Sequence, residues 1–212
     1  MRSGEDGLPP LLLYRSPTRN GNNAVEMLKG SVWGLYLMVD GFQGYDKPKN
    51  VKHCACYAHI RRYFGDAIPK GSEKDLSNPA VKGMAYCDKL FGCERRYKEQ
   101  GLSYEQRLKR KLKEEKPVVE AFIKWLGGQK LSSSSNKFNK ALTYARNRQD
   151  ILMTYLEDGR CSLSNNMSEN SIRPVVVGRK NRLFSDTMDG AEASNGHIYH
   201  CRDGKTTRSG TV

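Results

Sequence analysis

Long apolar runs are missing from this sequence of 212 residues. The longest, residues 11–14 and 35–39, are far shorter than the roughly 20 residues that a membrane-spanning helix needs. The first six residues also lack the apolar stretch of a signal peptide. We therefore expect a protein without membrane spans that acts in the cytosol.

Acidic residues are scarce relative to basic ones. The chain has 36 Lys and Arg against 23 Asp and Glu, a formal net charge of +13. This excess favours a polyanionic partner, of which nucleic acid is the commonest, over a basic protein that has no such partner. The hydrophobic content of 37% is typical of a folded chain, and the length fits one domain with an insertion.

Complete sets of cysteine ligands are also lacking. The six cysteines are expected to be free thiols in a cytoplasmic chain. Cys54, Cys56 and His59 could bind zinc, but no second CxxC or HxxxH pair follows at close range. A zinc-binding module is the least favoured alternative.

Apolar segments near the amino terminus predict a covered sheet. Residues 11–14 and 35–39 are apolar throughout and flank a predicted short helix, 24–29, which together indicate a βαβ unit with parallel strands. A third strand is expected at 51–57 and a helix at 58–64. Asp40 directly follows a strand, where α/β folds place ligands, although Asp40-Gly41 is equally an ordinary turn sequence.

The middle of the chain has helical periodicity. Residues 75–131 read as helices, and the basic run at 104–116 is either a solvated face or a DNA contact. A flexible joint is expected at 131–136. Residues 138–156 then predict one amphipathic helix with core positions at Leu142, Ala145, Ile151, Leu152 and Tyr155.

An acidic residue among basic ones marks the segment from residue 165. Asn165 or Asn166 can cap a helix whose first turn holds Glu169, with Arg173 four residues later on the same face. A carboxylate in that setting suits a metal ligand beside a phosphate backbone. The alternative is a capping box with an ordinary ion pair.

Six segments in order resemble the transposases of the insertion-sequence-66 family. The resemblance covers residues 2–192. The segments are YRSPTR at 14–19, VDGFQGY at 39–45, CYAHIRR at 56–62, LEDGR at 156–160, NNMSE at 165–169 and GRKNRLF at 178–184.

The resemblance implies a ribonuclease H-like α/β core with a triad of two Asp and one Glu that holds two divalent metal ions, Mg²⁺ or Mn²⁺. Asp40 matches the second acid and Glu169 the third. His59, Arg61 and Arg62 match a motif expected to contact the scissile phosphate or to support the metals. The basic stretch expected to hold DNA comprises Arg173, Arg179, Lys180 and Asn181.

This sequence departs from the family's pattern in several places. No Asp stands on a strand upstream of residue 11, Asn170 replaces the usual Arg after the Glu, and Arg182 replaces a common Trp. The patternless residues 191–212 replace an aliphatic helix, which suggests a frameshift near Ser194. We therefore expect a chain truncated at its amino terminus.

Together these observations predict four regions. They are the first part of an incomplete core at 8–70, a mainly helical basic insertion at 71–135, the remainder of the core with the catalytic Glu at 136–190, and an irregular tail at 191–212. The expected function is DNA transposition by a fragment that is inactive on its own. The alternative is a non-catalytic DNA-binding remnant that interferes with an intact transposase. The expected partners are transposon ends and target DNA, and a homo-oligomer is left open.

Overall fold

The computed structural model describes residues 22, 25, 28, 35–41, 43–48, 51–132, 135–166 and 169–170. These residues form a mixed α/β structure that is mostly helical. The chain divides into two compact units, Met1–Asn165 and Asn166–Val212. The helices and strands below belong to the first unit, and none of the helices in the described ranges is long and apolar enough to cross a membrane.

Two parallel strands form the sheet seen in the described residues. Strand β1 (Leu35–Val39) lies beside β2 (Val51–Ala55), with Leu35 opposite Val51. The strand predicted at 35–39 is confirmed. The next strand ends at Ala55 and not at residue 57, because Tyr57 begins a helix. The predicted strand at 11–14 lies outside the described residues, as does most of the helix predicted at 24–29.

Helix α1 (Tyr57–Asp66) follows β2 directly and packs against α2 (Pro79–Glu99). The start of α2 is set by the Asn78 side chain, which accepts a hydrogen bond from the Ala80 N–H at 2.9 Å, and by Pro79 in the first turn. Proline is well tolerated there because the N–H that it lacks would have no helical partner. Local sequence therefore decides where α2 begins.

The next helical segment is continuous from Tyr104 to Gly128 but changes its winding. Helix α3 (Tyr104–Arg110) starts with a capping box between Ser103 and Gln106. A π-helical turn (Lys111–Glu115) follows, in which the Lys116 N–H donates to the Lys111 carbonyl, and α4 (Lys116–Gly128) completes the segment. Pro117 in α4 lacks the N–H that an α-helix would direct to residue 113, and the π turn absorbs this defect.

The last long helix of the first unit, α5 (Asn136–Arg146), is shorter than predicted. Its start is capped by the Ser135 side chain, which accepts from the Phe138 N–H at 3.2 Å. The single helix predicted for 138–156 is wrong, because the backbone leaves the α conformation at Arg148 and continues as the 3₁₀ turns Gln149–Ile151 and Thr154–Glu157. Of the predicted core positions, four are buried and Ile151 is half-buried.

Aromatic side chains from three helices meet in the core. Phe64 of α1 lies 6.2 Å from Phe122, 5.8 Å from Trp125 and 6.3 Å from Phe138, measured between ring centroids. Tilted and edge-to-face pairs at such distances are favourable beyond the area that they bury. This cluster joins α1, α4 and α5 and thereby fixes α5 beside the sheet-to-helix connection.

The basic run at 104–116 is divided between the interior and the solvent. Lys111 is fully buried and Arg107 is 7% exposed. Both pair with Glu94 of α2, through Lys111 Nζ at 3.0 Å and Arg107 Nη2 at 2.7 Å. The sequence interpretation of the whole run as a solvated face or a DNA contact is therefore wrong for these two residues.

Glu115, on the inner side of the π turn, is also fully buried and accepts a hydrogen bond from the Tyr155 hydroxyl at 2.8 Å. Burial, helped by the nearby Glu94, raises its pKa from the ordinary 4.5 to about 7. Glu115 therefore binds its proton more tightly in the folded chain than in the unfolded one. The resulting stability is fully present below about pH 4.5 and is lost as the pH rises through about 7.

We expect Glu115→Gln to remove this pH dependence, because the amide keeps an oxygen for Tyr155 and cannot ionise. Its advantage over the wild type should grow from near zero at pH 4 to at most about 3 kcal/mol at pH 8, in urea unfolding. Glu114→Gln is the matched control, since Glu114 pairs with Arg96 and Arg110 at the surface. An equal advantage of Glu115→Gln at both pH values would contradict the burial of a neutral Glu115.

Candidate functional site

Asp40 lies at the carboxyl end of β1, where the sequence analysis placed a ligand. The parallel pairing continues one step past the strands, because the Cys56 N–H donates to the Val39 carbonyl at 3.2 Å. Asp40 and the start of α1 thus belong to the same edge of the sheet. The Asp40 residue is half-buried.

Gly41 gives the turn after Asp40 a shape that other residues cannot easily adopt. Its φ is +96°, in the region that favours glycine. A Cβ atom at this position would lie 1.7 Å from Nη2 of Arg148. The Arg148 Nη2 atom instead donates to the Gly41 carbonyl at 2.7 Å. The Asp-Gly pair is therefore more than an ordinary turn, since its glycine admits an arginine from a distant segment.

Tyr144, in the last turn of α5, contacts the same turn. Its hydroxyl donates to the carbonyl oxygen of Asp40. One face of the Tyr144 ring stacks on Tyr63 of α1 at 4.3 Å, and the Arg148 guanidinium lies 4.1 Å from the ring centroid. Burial raises the pKa of Tyr144, which keeps the phenol protonated and able to donate.

The carboxyl end of β2 binds the segment that leads to Glu169. The Cys56 thiol donates to Oδ1 of Asn165 at 3.1 Å, and the Tyr57 N–H donates to the Leu163 carbonyl at 2.9 Å. Nδ1 of His59 lies 3.2 Å from the same thiol sulfur. Asn165, which the sequence analysis treated as a helix cap, is thus also held at the end of β2.

Glu169 belongs to the second unit, Asn166–Val212, where it is exposed and helical. The helix predicted around it is confirmed at Glu169 itself. Its pairing with Asp40 stays a prediction. The four residues predicted to hold DNA beyond it, Arg173, Arg179, Lys180 and Asn181, lie outside the described residues.

The three basic residues after β2 have different surroundings. His59 is only 9% exposed and its Nδ1 atom lies 3.2 Å from the Cys56 sulfur, whereas Arg62 is exposed. Arg61 is at the surface in an ion pair with Asp88 of α2. The prediction that these three residues contact DNA remains untested.

The cysteines do not gather into the zinc site considered from the sequence. Cys54 hydrogen-bonds Cys161, which together with burial raises the pKa of the Cys54 thiol, whereas Cys56 bonds Asn165. Among the residues that the structure describes, no group of three or more His, Cys, Asp or Glu side chains is arranged to hold a metal ion. The five cysteines described are free thiols, as expected.

Sequence reasoning missed Tyr144 and Arg148. Neither stands in a segment that carried the family resemblance, and both were read as part of a long amphipathic helix. The one local signal was the Asp-Gly pair itself, since a glycine after a strand can mark a close approach by another group.

Comparison with known proteins identifies relatives of this chain. It matches the family model described as "Transposase IS66 family" over residues 1–193. It is 29% identical over 200 residues to Uncharacterized protein y4hP of Sinorhizobium fredii (strain NBRC 101917 / NGR234), covering 87% of this chain and 36% of that protein. Uncharacterized protein y4qI of the same strain is 27% identical over 192 residues, covering 86% and 34%. The chain thus spans about a third of the length of these relatives, and no solved structure matches it.

Proposed function

Since this chain belongs to the IS66 family of transposases, we propose that it carries part of a divalent-metal site for DNA strand cleavage and transfer. Asp40 and Glu169 are the ligands that we assign to this site, within a ribonuclease H-like core interrupted by the helices α2 to α4. The mixed α/β structure, with two parallel strands before a helical region, supports this arrangement.

The observation that carries the proposal is the position of Asp40. It is a half-buried acid at the carboxyl end of a parallel strand, and its main chain is held by Tyr144. Carboxylate oxygens are the ligands that Mg²⁺ and Mn²⁺ prefer. The Asp40 carboxylate therefore suits one ligand position of a hard divalent cation at this edge. A cation bound there would stabilise negative charge on a phosphodiester oxygen during strand cleavage.

Basic side chains of the chain would hold the DNA backbone. The net charge of +13 attracts a polyanion, and Arg62 is exposed on α1, the helix that follows β2 directly. We also assign Arg61 and His59 to the residues that serve DNA binding. The buried His59 would act indirectly, through its contact with Cys56 at the end of β2. Arg173, Arg179, Lys180 and Asn181 complete the proposed DNA contacts.

We expect Asp40→Asn to weaken binding of Mn²⁺ by about tenfold or more, because an amide oxygen carries no charge to offset that of the cation. Paramagnetic broadening of the Gly41 amide signal during a Mn²⁺ titration reports this binding in the full chain. Glu169→Gln should also weaken Mn²⁺ binding in the same titration.

Asp66→Asn is the control for general electrostatics, since Asp66 is an exposed acid at the end of α1. It should leave the titration unchanged. A wild-type chain whose Gly41 signal stays sharp at millimolar Mn²⁺, or an Asp40→Asn variant that binds as well as the wild type, would refute the proposed site.

A non-catalytic DNA-binding role is the second candidate. It is favoured by the excess of basic residues, which includes the exposed Lys109, Arg110 and Lys113. Binding of this kind should weaken with salt, with a log–log slope of about −0.9 for each phosphate neutralised. Salt-dependent binding without strand cleavage in Mg²⁺ supports this role, whereas metal-dependent nicking by the purified chain excludes it.

A further inference from the structure

We propose that Tyr144 and Arg148 are positioning residues that fix the peptide units around Asp40 so that its carboxylate is held ready for the cation. This inference rests on the proposed function, in which Asp40 is a ligand. Tyr144 and Arg148 are 104 and 107 positions from the main-chain oxygens that they bind. Neither is assigned a role by the family resemblance.

The two donors hold consecutive peptide units. Tyr144 Oη donates to the Asp40 carbonyl, and Arg148 Nη2 donates to the Gly41 carbonyl at 2.7 Å. Fixing both carbonyl groups leaves little freedom in the backbone angles on either side of Gly41. Because the Cα–Cβ direction of Asp40 follows from its own backbone, the two bonds also restrict where its carboxylate can lie.

The donors are themselves held in place before any ligand arrives. The Tyr144 ring stacks on Tyr63 with the ring centroids 4.3 Å apart, and the Arg148 guanidinium lies 4.1 Å from the Tyr144 centroid. Arg148 Nη1 also donates to the Tyr144 carbonyl at 3.1 Å. A site whose supporting groups are preorganised binds without a further ordering cost, which is how residues behind metal ligands affect affinity.

Gly41 is part of the same device. Its φ of +96° turns its carbonyl toward Arg148, and the space that a side chain would fill is occupied by the guanidinium. The arginine therefore approaches the backbone as closely as a hydrogen bond requires. Any residue with a Cβ atom at position 41 would exclude it.

The test compares Tyr144→Phe and Arg148→Gln with Arg146→Gln. Tyr144→Phe keeps the ring and removes only the donor. Arg146, on the same helix as Tyr144, donates to the Leu126 carbonyl at 2.7 Å and not to the Asp40 turn. Its replacement therefore reports the effect of losing a side-chain to main-chain hydrogen bond elsewhere in the fold. Each variant is measured as the full chain, for backbone order at Gly41 by ¹⁵N relaxation and for Mn²⁺ affinity by broadening of the Gly41 signal.

In Tyr144→Phe and in Arg148→Gln we expect the order parameter of Gly41 to fall from about 0.85 to below about 0.6. Their Mn²⁺ affinity should fall by about tenfold, as is typical when a group that supports a ligand is removed. Arg146→Gln should keep the wild-type values of both quantities even if it unfolds at a lower temperature. This difference separates positioning from a general loss of stability.

Unchanged order at Gly41 in both Tyr144→Phe and Arg148→Gln would overturn the inference. Mn²⁺ affinities of these two variants that match the affinity of Arg146→Gln would also overturn it. Failure of the proposed function has a different result, namely a wild-type chain that shows no broadening by Mn²⁺ at all. In that case, loss of order at Gly41 in Tyr144→Phe and Arg148→Gln but not in Arg146→Gln still establishes that Tyr144 and Arg148 fix this turn. A Gly41 that is as ordered in these two variants as in the wild type refutes it.

Discussion

The Gly159→Ala variant will unfold at a much lower urea concentration than the wild type, with an expected loss of more than about 4 kcal/mol. Gly159 is buried, and a Cβ atom on it would lie 1.9 Å from the carbonyl oxygen of Tyr104. That carbonyl lies in the first turn of α3, whose start is fixed by the Ser103 cap. Overpacking against a movable side chain costs about 1–3 kcal/mol, and a main-chain obstacle yields less easily.

Gly92→Ala makes the same chemical change where there is space. Gly92 lies inside α2, and a Cβ atom there would have no heavy atom within 4 Å other than those of its own helix and chain neighbours. Alanine in a helix interior is favoured over glycine by about 0.5–1 kcal/mol, so this variant should be slightly more stable than the wild type. A Gly159→Ala chain as stable as the wild type would show that α3 is not packed against residue 159.

Lys111→Met should cost about 3–5 kcal/mol of unfolding free energy at pH 7, the usual result of removing one member of a buried ion pair. The Lys111 ammonium has no exposure to solvent, pairs with Glu94 at 3.0 Å and donates to the Cys161 carbonyl. Methionine fills the volume of the aliphatic stem but supplies no donor. Glu94 would then keep Arg107 alone to offset its buried charge.

Lys113→Met is the matched variant for this prediction. Lys113 lies in the same π turn but is exposed, so its replacement should change stability by no more than about 0.5 kcal/mol. Both variants are compared by urea unfolding at equal protein concentration. If the two losses were equal, the lysine at position 111 would not be an essential partner of Glu94.

Local patterns were reliable for elements whose signal lies within a few residues. The apolar run at 35–39 predicted β1 correctly, and helical periodicity at 75–131 indicated the region that forms α2 to α4. The caps at Asn78 and Ser103, which the sequence analysis did not identify, also act only on their own neighbours in the chain. A strand was also expected at 51–57, and β2 forms there, but its pairing with β1 was not predicted.

Predictions failed where a distant group decided the outcome. The helix predicted through residue 156 ends at Arg146, and Arg148 leaves the α conformation while its side chain binds Gly41. Lys111 looked like one of several surface lysines, because periodicity does not reveal that Glu94 of α2 lies close enough to pair with it. Hydrophobic patterns alone carry no information on buried charged pairs, so the inward side of the basic run could not be assigned.

The sequence by itself determined the family, through six ordered segments, and placed Asp40 at the end of an apolar strand. Its excess of positive charge indicated a polyanionic partner. Only the tertiary structure decided which groups surround Asp40, because Tyr144 and Arg148 reach it across more than a hundred positions of chain. Strands and caps follow from contacts between neighbours in sequence, whereas the shape of this turn follows from packing that brings α5 to the edge of the sheet.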